Sequence, residues 1–316
     1  LWFAGDVRVL VTGAFGFVGT ALVERLTAAG HEVRALTSRA DVAGPGGFVG
    51  DVRDPAAMGR AVRDVDGVCH LAALVRVREA RGRARDYWVV NHGGAVTVAT
   101  AAAEEAAQSG RPLRFVLAST GAVYGQPALQ PIPEDLPLST TNEYGETKLA
   151  AEKDVLGLVD AAFGAAFGAV ALRLFNVAGA AGGRTGDPDT LIPKTLAVAR
   201  GDLPALQVNG DGAAVRDFVH VRDVARAFEL ALDHAVPGRR TVFNVGATGA
   251  RVLDVVRTVR DVTGREVPVE HHPSSGEAPM LLADTRRIRT ELGWRPEHSD
   301  LRTIVADAWA AMEATD

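Results

Sequence analysis

The apolar run Val7-Arg-Val-Leu-Val-Thr12 passes without a break into Gly13-Ala-Phe-Gly16-Phe-Val-Gly19, and this junction constrains the chain more than any other segment. The run reads as a buried strand. The residues after it read as a helix, because Phe17, Ala21, Leu22, Val23 and Leu26 recur at helical spacing and Gly30 stops the pattern. Between them, Gly13 allows a tight turn, Gly16 lets the backbone approach a pyrophosphate, and Gly19 lets the helix pack close. A diphosphate would then lie at the positive end of the helix. A second strand-like run, Glu32 to Leu36, completes the unit expected of a dinucleotide-binding fold.

Strand-like runs continue at Gly67 to Leu71, Leu113 to Ser119 and Gly168 to Leu174, with helical stretches between them. That alternation implies an α/β fold with a doubly wound parallel sheet and right-handed crossovers. The stretches Tyr87 to Gln108 and Glu146 to Phe163 are long, alanine-rich and helical. Leu301 to Met312 reads as an amphipathic helix with Ile304, Val305, Ala308 and Trp309 on its packed side. After Asn176 the texture changes to a glycine-rich loop.

Ser119-Thr120 ends one of the strand-like runs, and Tyr144-Gly-Glu-Thr-Lys148 opens the next helix. Tyr and Lys at this spacing share a helix face. A phenol titrates near pH ~10, so it is a poor base at neutrality unless a cation favours its anion, which Lys148 would supply. The Thr120 hydroxyl could relay a proton between a substrate alcohol and the Tyr144 oxygen. Alone, such a pair is an ordinary helix-surface Tyr and Lys. Placed beyond the end of a parallel strand, where such sheets bind ligands, it reads as catalytic.

Composition excludes several other classes. The 316 residues suffice for about two domains. The chain is 47% hydrophobic with a mean hydropathy of +0.07, and no apolar run reaches the roughly 18 residues of a membrane span. With no signal-peptide pattern visible, a cytoplasmic protein is expected. A net charge of −5 gives no reason to expect nucleic-acid binding, and the basic stretch Arg76 to Arg85 is interleaved with acids like a solvated face. Cys69, the single cysteine, rules out an internal disulfide and reads as a buried small hydrophobe. His220, His271 and His272 lack companions at metal-ligand spacing, so no metal site is expected, and His220 reads as structural.

Together with Asp51-Val52, His70-Leu-Ala-Ala73, Val123-Tyr-Gly125, Leu172-Arg-Leu-Phe-Asn-Val-Ala-Gly179, Val215-Arg-Asp-Phe-Val-His220, Ala283-Asp284 and Glu291-Leu-Gly-Trp294, these motifs resemble the extended short-chain dehydrogenase/reductase family. The likeness is greatest to its nucleotide-sugar 4-epimerases and covers nearly the whole chain. The resemblance implies a Rossmann domain over 1–176 and 214–245 and a smaller α/β substrate domain over 177–213 and 246–316. It implies that Thr120, Tyr144 and Lys148 carry the chemistry. It also implies that Gly13, Phe15, Gly16, Phe17, Gly19, Asp51, Val52, Leu71, Ala72, Ala73 and Phe175 contact the cofactor, along with Tyr144 and Lys148. Asn176, Thr190, Leu191 and Arg216 would grip a nucleoside-diphosphate sugar, Arg216 through its fork of donors. A homodimer built from the two alanine-rich helices is a further implication.

Four departures qualify the likeness. Thr37 takes the place of the acidic residue that binds the adenosine ribose, and Ser38 and Arg39 follow it, a change that suits a 2′-phosphate; NADP is therefore favoured over NAD. Val75 stands where many 4-epimerases carry a lysine. Gly121-Ala122 stands where 4,6-dehydratases carry an Asp-Glu pair. Pro273-Ser-Ser-Gly-Glu277 stands where a second diphosphate arginine is usual, and Arg184 is a candidate replacement. On these residues a 4-epimerase is expected, with an NADPH-dependent ketoreductase, an atypical dehydratase and a non-catalytic dinucleotide sensor as alternatives.

Overall fold

The protein is described from a computed structural model, which covers residues 7–43, 47–161, 165–274 and 276–314. Its centre is a seven-stranded parallel sheet in the order β7-β6-β5-β4-β1-β2-β3. These strands are β1 (Arg8–Thr12), β2 (Glu32–Thr37), β3 (Phe48–Val49), β4 (Gly67–His70), β5 (Leu113–Thr120), β6 (Phe167–Leu174) and β7 (Arg240–Val245). The order reverses beside β1, and ligands of such sheets bind at the carboxyl ends next to that switch.

Side-chain alternation explains why both faces are covered. In β1, Val9 and Val11 point to one face and Leu10 to the other; in β5, Val116 opposes Phe115 and Leu117. On the first face lie α1 (Phe17–Ala28) and α4 (Val221–His234), which bury Leu22, Leu26 and Phe228. On the second lie α2 (Ala95–Ser109) and α3 (Glu143–Asp160). Ala95, Ala99, Ala102, Ala103 and Ala106 are all fully buried, so the alanine richness of α2 serves close packing on the sheet. Each fully buried Leu or Phe contributes about 1.5–3 kcal/mol, and the two faces together form the main core.

A separate core, containing Ile192, Leu196, Phe218, Val255, Val259, Ile304 and Trp309, holds the smaller part. It is built from helices Leu191–Arg200, Val252–Thr263 and Leu301–Glu313 on short strands. Strand Val215–His220 lies here, pairing with Thr248–Arg251, Met280–Leu281 and Asn176–Ala178, and the chain then enters α4 on the large sheet.

The five expected strands are present within a residue or two of their anticipated ends, whereas β3 and β7 were not anticipated. The helix expected as one piece from Tyr87 is three: Ala84–Tyr87, a π-helical turn over Trp88–Gly94, and α2. The cause is the buried Asn91. Its side chain accepts from Leu74 N at 2.7 Å and donates to Leu74 O at 2.9 Å, pulling the helix out of regular register. The end of the helix expected through Phe163 lies outside the described residues.

Candidate active site

The loop after β1 is shaped by backbone rather than side chains. Gly13 has φ of +66°, and a Cβ there would lie 2.8 Å from Ala72 N. A Cβ on Gly19 would lie 2.1 Å from the carbonyl oxygen of Gly13, so the first turn of α1 can sit against the loop only because nothing projects from it. Thr12 locks the neighbouring strand ends together. Its hydroxyl accepts from Leu71 N and Ala72 N at 3.2 Å each, which directs its proton to His70 Nδ1 at 3.0 Å. Burial keeps His70 neutral, with a pKa of about 3.

This loop forms one end of a cavity of about 990 Å³. Gly13, Gly16, Phe17, Gly19, Ser38, Asp51, Val52, Leu71, Ala72, Ala73 and Phe175 line it, and so do Thr120, Tyr144 and Lys148. A long cavity that starts at a helix N-terminus and a cradle that any Cβ would fill fits a dinucleotide. Two expected contacts are absent from the lining. The ring of Phe15 packs against the core beneath the loop instead. Arg39 turns to Asp41 at 2.7 Å, and both side chains are exposed. The expectation of NADP rested on Thr37, Ser38 and Arg39 together; Thr37 and Ser38 line the cavity but the arginine does not, and NADP gains no support. Asp51, in contrast, is held ionised by Arg53 on the cavity wall.

At the far end of the cavity, α3 begins with Asn142, whose carboxamide accepts from Gly145 N at 2.9 Å and caps the helix. Tyr144 and Lys148 therefore emerge in its first turns, beside the end of β5. The Thr120 hydroxyl accepts from Ala122 N at 3.2 Å, and its hydrogen bonding with the Tyr144 phenol favours the anion. Burial outweighs this and raises the Tyr144 pKa. Burial also pulls Lys148 down to about 8. Burial thus works against both charged forms, the Tyr144 phenolate and the Lys148 ammonium whose charge is expected to favour that phenolate.

A second cavity, of about 1280 Å³, opens off the first and shares Arg78, Gly186, Asp189 and Thr190 with it. Asn176, Leu191 and Arg216 line it. Thr190 precedes helix Leu191–Arg200 at this edge, its hydroxyl turned to Asp187 O at 2.7 Å, so a positive helix end faces the space. Arg216 donates to the carbonyls of Val215 and Ala278 at 2.9 Å each and reaches Glu277 at 3.4 Å. Asn176 donates to Asp217 O at 2.8 Å. Arg184 lines neither cavity, so its candidacy gains nothing, and Ser275 lies outside the described residues. Arg76 and Asp187 face each other across the mouth of the first cavity in an ion pair of 2.8 Å.

Other expectations have plain outcomes. Cys69 is fully buried and its thiol is pushed up by burial. His220 is buried and caps α4 through Nδ1. Among the described residues no cluster of His, Cys, Asp and Glu could hold a metal, and no helix is long and apolar enough to cross a membrane. The sequence reading missed the buried set behind the site, in which Glu152 accepts from Ser119 Oγ at 2.6 Å and pairs with Arg173 at 2.5 Å. The available signal was Glu152 itself, at the same helical interval from Lys148 as Lys148 is from Tyr144.

The sheet order, the glycine cradle and the Thr-Tyr-Lys cluster define a Rossmann protein of the extended short-chain dehydrogenase/reductase type. Residues 9–246 match the NAD dependent epimerase/dehydratase family, and the chain belongs to it. It is 38% identical to a UDP-glucose 4-epimerase of Corynebacterium glutamicum over 98% of this chain and 96% of that one. It is 40% identical to a UDP-glucose 4-epimerase of Streptomyces lividans, covering 96% and 95%. Its fold matches the crystal structure of a UDP-glucose 4-epimerase from Stenotrophomonas maltophila, solved with NAD and formylated UDP-arabinopyranose. The TM-score is 0.88, with 31% identity over 98% of this chain and 99% of that one.

Proposed function

We propose that the protein is a nucleotide-sugar 4-epimerase that takes a UDP-sugar and holds NAD through turnover. The observation that carries this reading is the convergence of Thr120, Tyr144 and Lys148 on the cavity that begins at the glycine cradle, with Arg216 lining the adjoining cavity. NAD is favoured because relatives of similar fold were solved with NAD.

When bound, the dinucleotide supplies a reversible hydride acceptor and a positive ring. Tyr144 takes the proton of the sugar 4-hydroxyl, directly or through Thr120, as C4 gives up hydride, and returns a proton to O4 when the turned ketone regains hydride on its other face. Lys148 adds its charge to that of the ring, which together favour the phenolate that burial alone opposes. Arg216, Asn176, Thr190 and Leu191 hold the nucleoside diphosphate, and the sugar passes through a bound 4-ketone that turns over before it is reduced. Two units divide this work, 1–176 with 221–245 for the dinucleotide and 177–220 with 246–316 for the sugar nucleotide, strand Val215–His220 going with the smaller core. We also assign a homodimer through the outer faces of α2 and α3.

Residue 121 argues against the dehydratase. Gly121-Ala122 carry no carboxyl where that reaction uses an Asp-Glu pair, and a Cβ at Gly121 would already lie 3.2 Å from the Phe175 ring. The ketoreductase, whose basis was the departure over Thr37 to Arg39, is disfavoured because relatives of similar fold were solved with NAD. The test is to incubate the purified protein with a panel of nucleotide sugars and weigh the products. Unchanged mass with inverted C4 supports the reading; loss of water, or gain of two hydrogens with loss of reduced cofactor, refutes it.

A further inference from the structure

Lys148 is 3% exposed and makes no hydrogen bond or ion pair with any described residue, yet the chemistry proposed above asks it to be charged. A buried ammonium loses its proton readily unless an anion is fixed nearby. The anion at hand is Glu152. It lies one helical turn beyond Lys148 on the same face of α3, is itself 3% exposed, and is held from two sides. Ser119, the residue before Thr120, donates to Oε2 at 2.6 Å, while Arg173 donates to Oε2 at 3.1 Å and to Oε1 at 2.5 Å. Arg173 is fixed on the far side by Tyr124 Oη at 2.6 Å and Glu134 O at 2.9 Å.

We propose that Glu152 is a positioning residue whose fixed carboxylate keeps the Lys148 ammonium charged beside the reacting centre, with Ser119 and Arg173 holding it there. This rests on the role proposed above for Lys148. From one helical turn away on the same face, the Glu152 carboxylate pulls the Lys148 pKa upward against burial. The other titratable or charged groups on elements packed around α3 are His70 from β4, Arg173 from β6 with its partner Tyr124, His92 paired with Asp154, Tyr144 on α3 itself, the buried Tyr87, and Glu79 and Arg83 on the cavity lining. His70 is neutral, and the phenols carry no charge below pH ~10. Glu79 and Arg83 are engaged with Arg76 and Asp86. Glu152 therefore stands alone as a buried anion on the Lys148 face.

The chain has three lysines, Lys148, Lys153 and Lys194, so a protein made with isotope-labelled lysine gives few side-chain NMR signals. Loss of one signal in Lys148→Arg assigns Lys148. Its titration midpoint should fall by about one to two units in Glu152→Gln, a ten- to hundredfold change in proton affinity, and should move far less in Ser119→Ala, which keeps the charge. The basic limb of the turnover profile should move the same way. A well-folded Glu152→Gln protein with the midpoint of Lys148 unchanged would overturn the proposal and leave the Glu152–Arg173 pair as core structure only. Should the single variant fail to fold, Glu152→Gln with Arg173→Met removes both charges and is read by the same criterion. The titration needs no substrate, so a protein that turned over no nucleotide sugar would refute the proposed function while still reporting on Glu152.

Discussion

Replacing Gly19 with alanine tests whether the phosphate cradle is built by close backbone approach. The added Cβ would lie 2.1 Å from Gly13 O and 2.8 Å from both Cα and the carbonyl carbon of Ala14. All three are main-chain atoms, so no side-chain rotation relieves the clash. To reach ordinary contact, loop and helix must part by about 1 Å, which carries the amide donors away from the diphosphate. Overpacking of this kind costs about 1–3 kcal/mol. Expressed as binding, that is roughly a 5- to 150-fold loss of dinucleotide affinity. Calorimetric titration of NAD into stripped protein reads the effect. Gly59→Ala is the control, because a Cβ there meets nothing within 4 Å in the helix Pro55–Ala61. That change should leave affinity alone and stabilise the fold by about 0.5–1 kcal/mol. If Gly19→Ala binds NAD as tightly as the unaltered protein, the cradle argument is wrong.

Tyr144→Phe should lower turnover by about 10²–10⁴-fold while the cofactor stays bound, and steady-state kinetics with a cofactor assay reads both. Arg216→Ala should weaken UDP binding by roughly ten- to a hundredfold, the worth of charge-assisted bonds of about 1.5–3 kcal/mol, without changing NAD content. Lys148→Met should stabilise the fold. Its pKa falls from 10.5 unfolded to about 8 folded, so below pH 8 the native protein bears the full cost of a buried charge. The variant escapes that cost, a gain of roughly 3 kcal/mol at pH 7 that fades to nothing by about pH 10.5. Urea unfolding at several pH values checks the trend; a gain independent of pH contradicts it.

How far the sequence revealed this arrangement depended on whether the deciding interaction was local. Strands β1, β2, β4, β5 and β6 were legible because buried parallel strands leave continuous apolar runs between turn residues. The edge strands β3 and β7 were not. Phe48–Val49 is too short to show a period, and Arg240–Val245 follows a loop that resembles many others. The π turn at Trp88–Gly94 was hidden because its cause, Asn91 against Leu74, lies outside the helix. The same holds in the site. Thr120, Tyr144 and Lys148 declared themselves by spacing, but the placement of Arg39 was not legible, because its pairing with Asp41 is one of several an exposed arginine can adopt. Glu152 and Arg173 come from different elements, and only the fold makes their pairing evident.

The central claim is that hydride leaves C4 of a bound sugar and returns to the same carbon. Incubating the protein with UDP-glucose deuterated at C4, in ordinary water, and following the sugar by NMR and mass spectrometry tests it directly. The account predicts UDP-galactose that retains its deuterium at C4, with no net reduction of NAD. Loss of the label to solvent, a product lighter by one water, or no reaction with any UDP-sugar would contradict it.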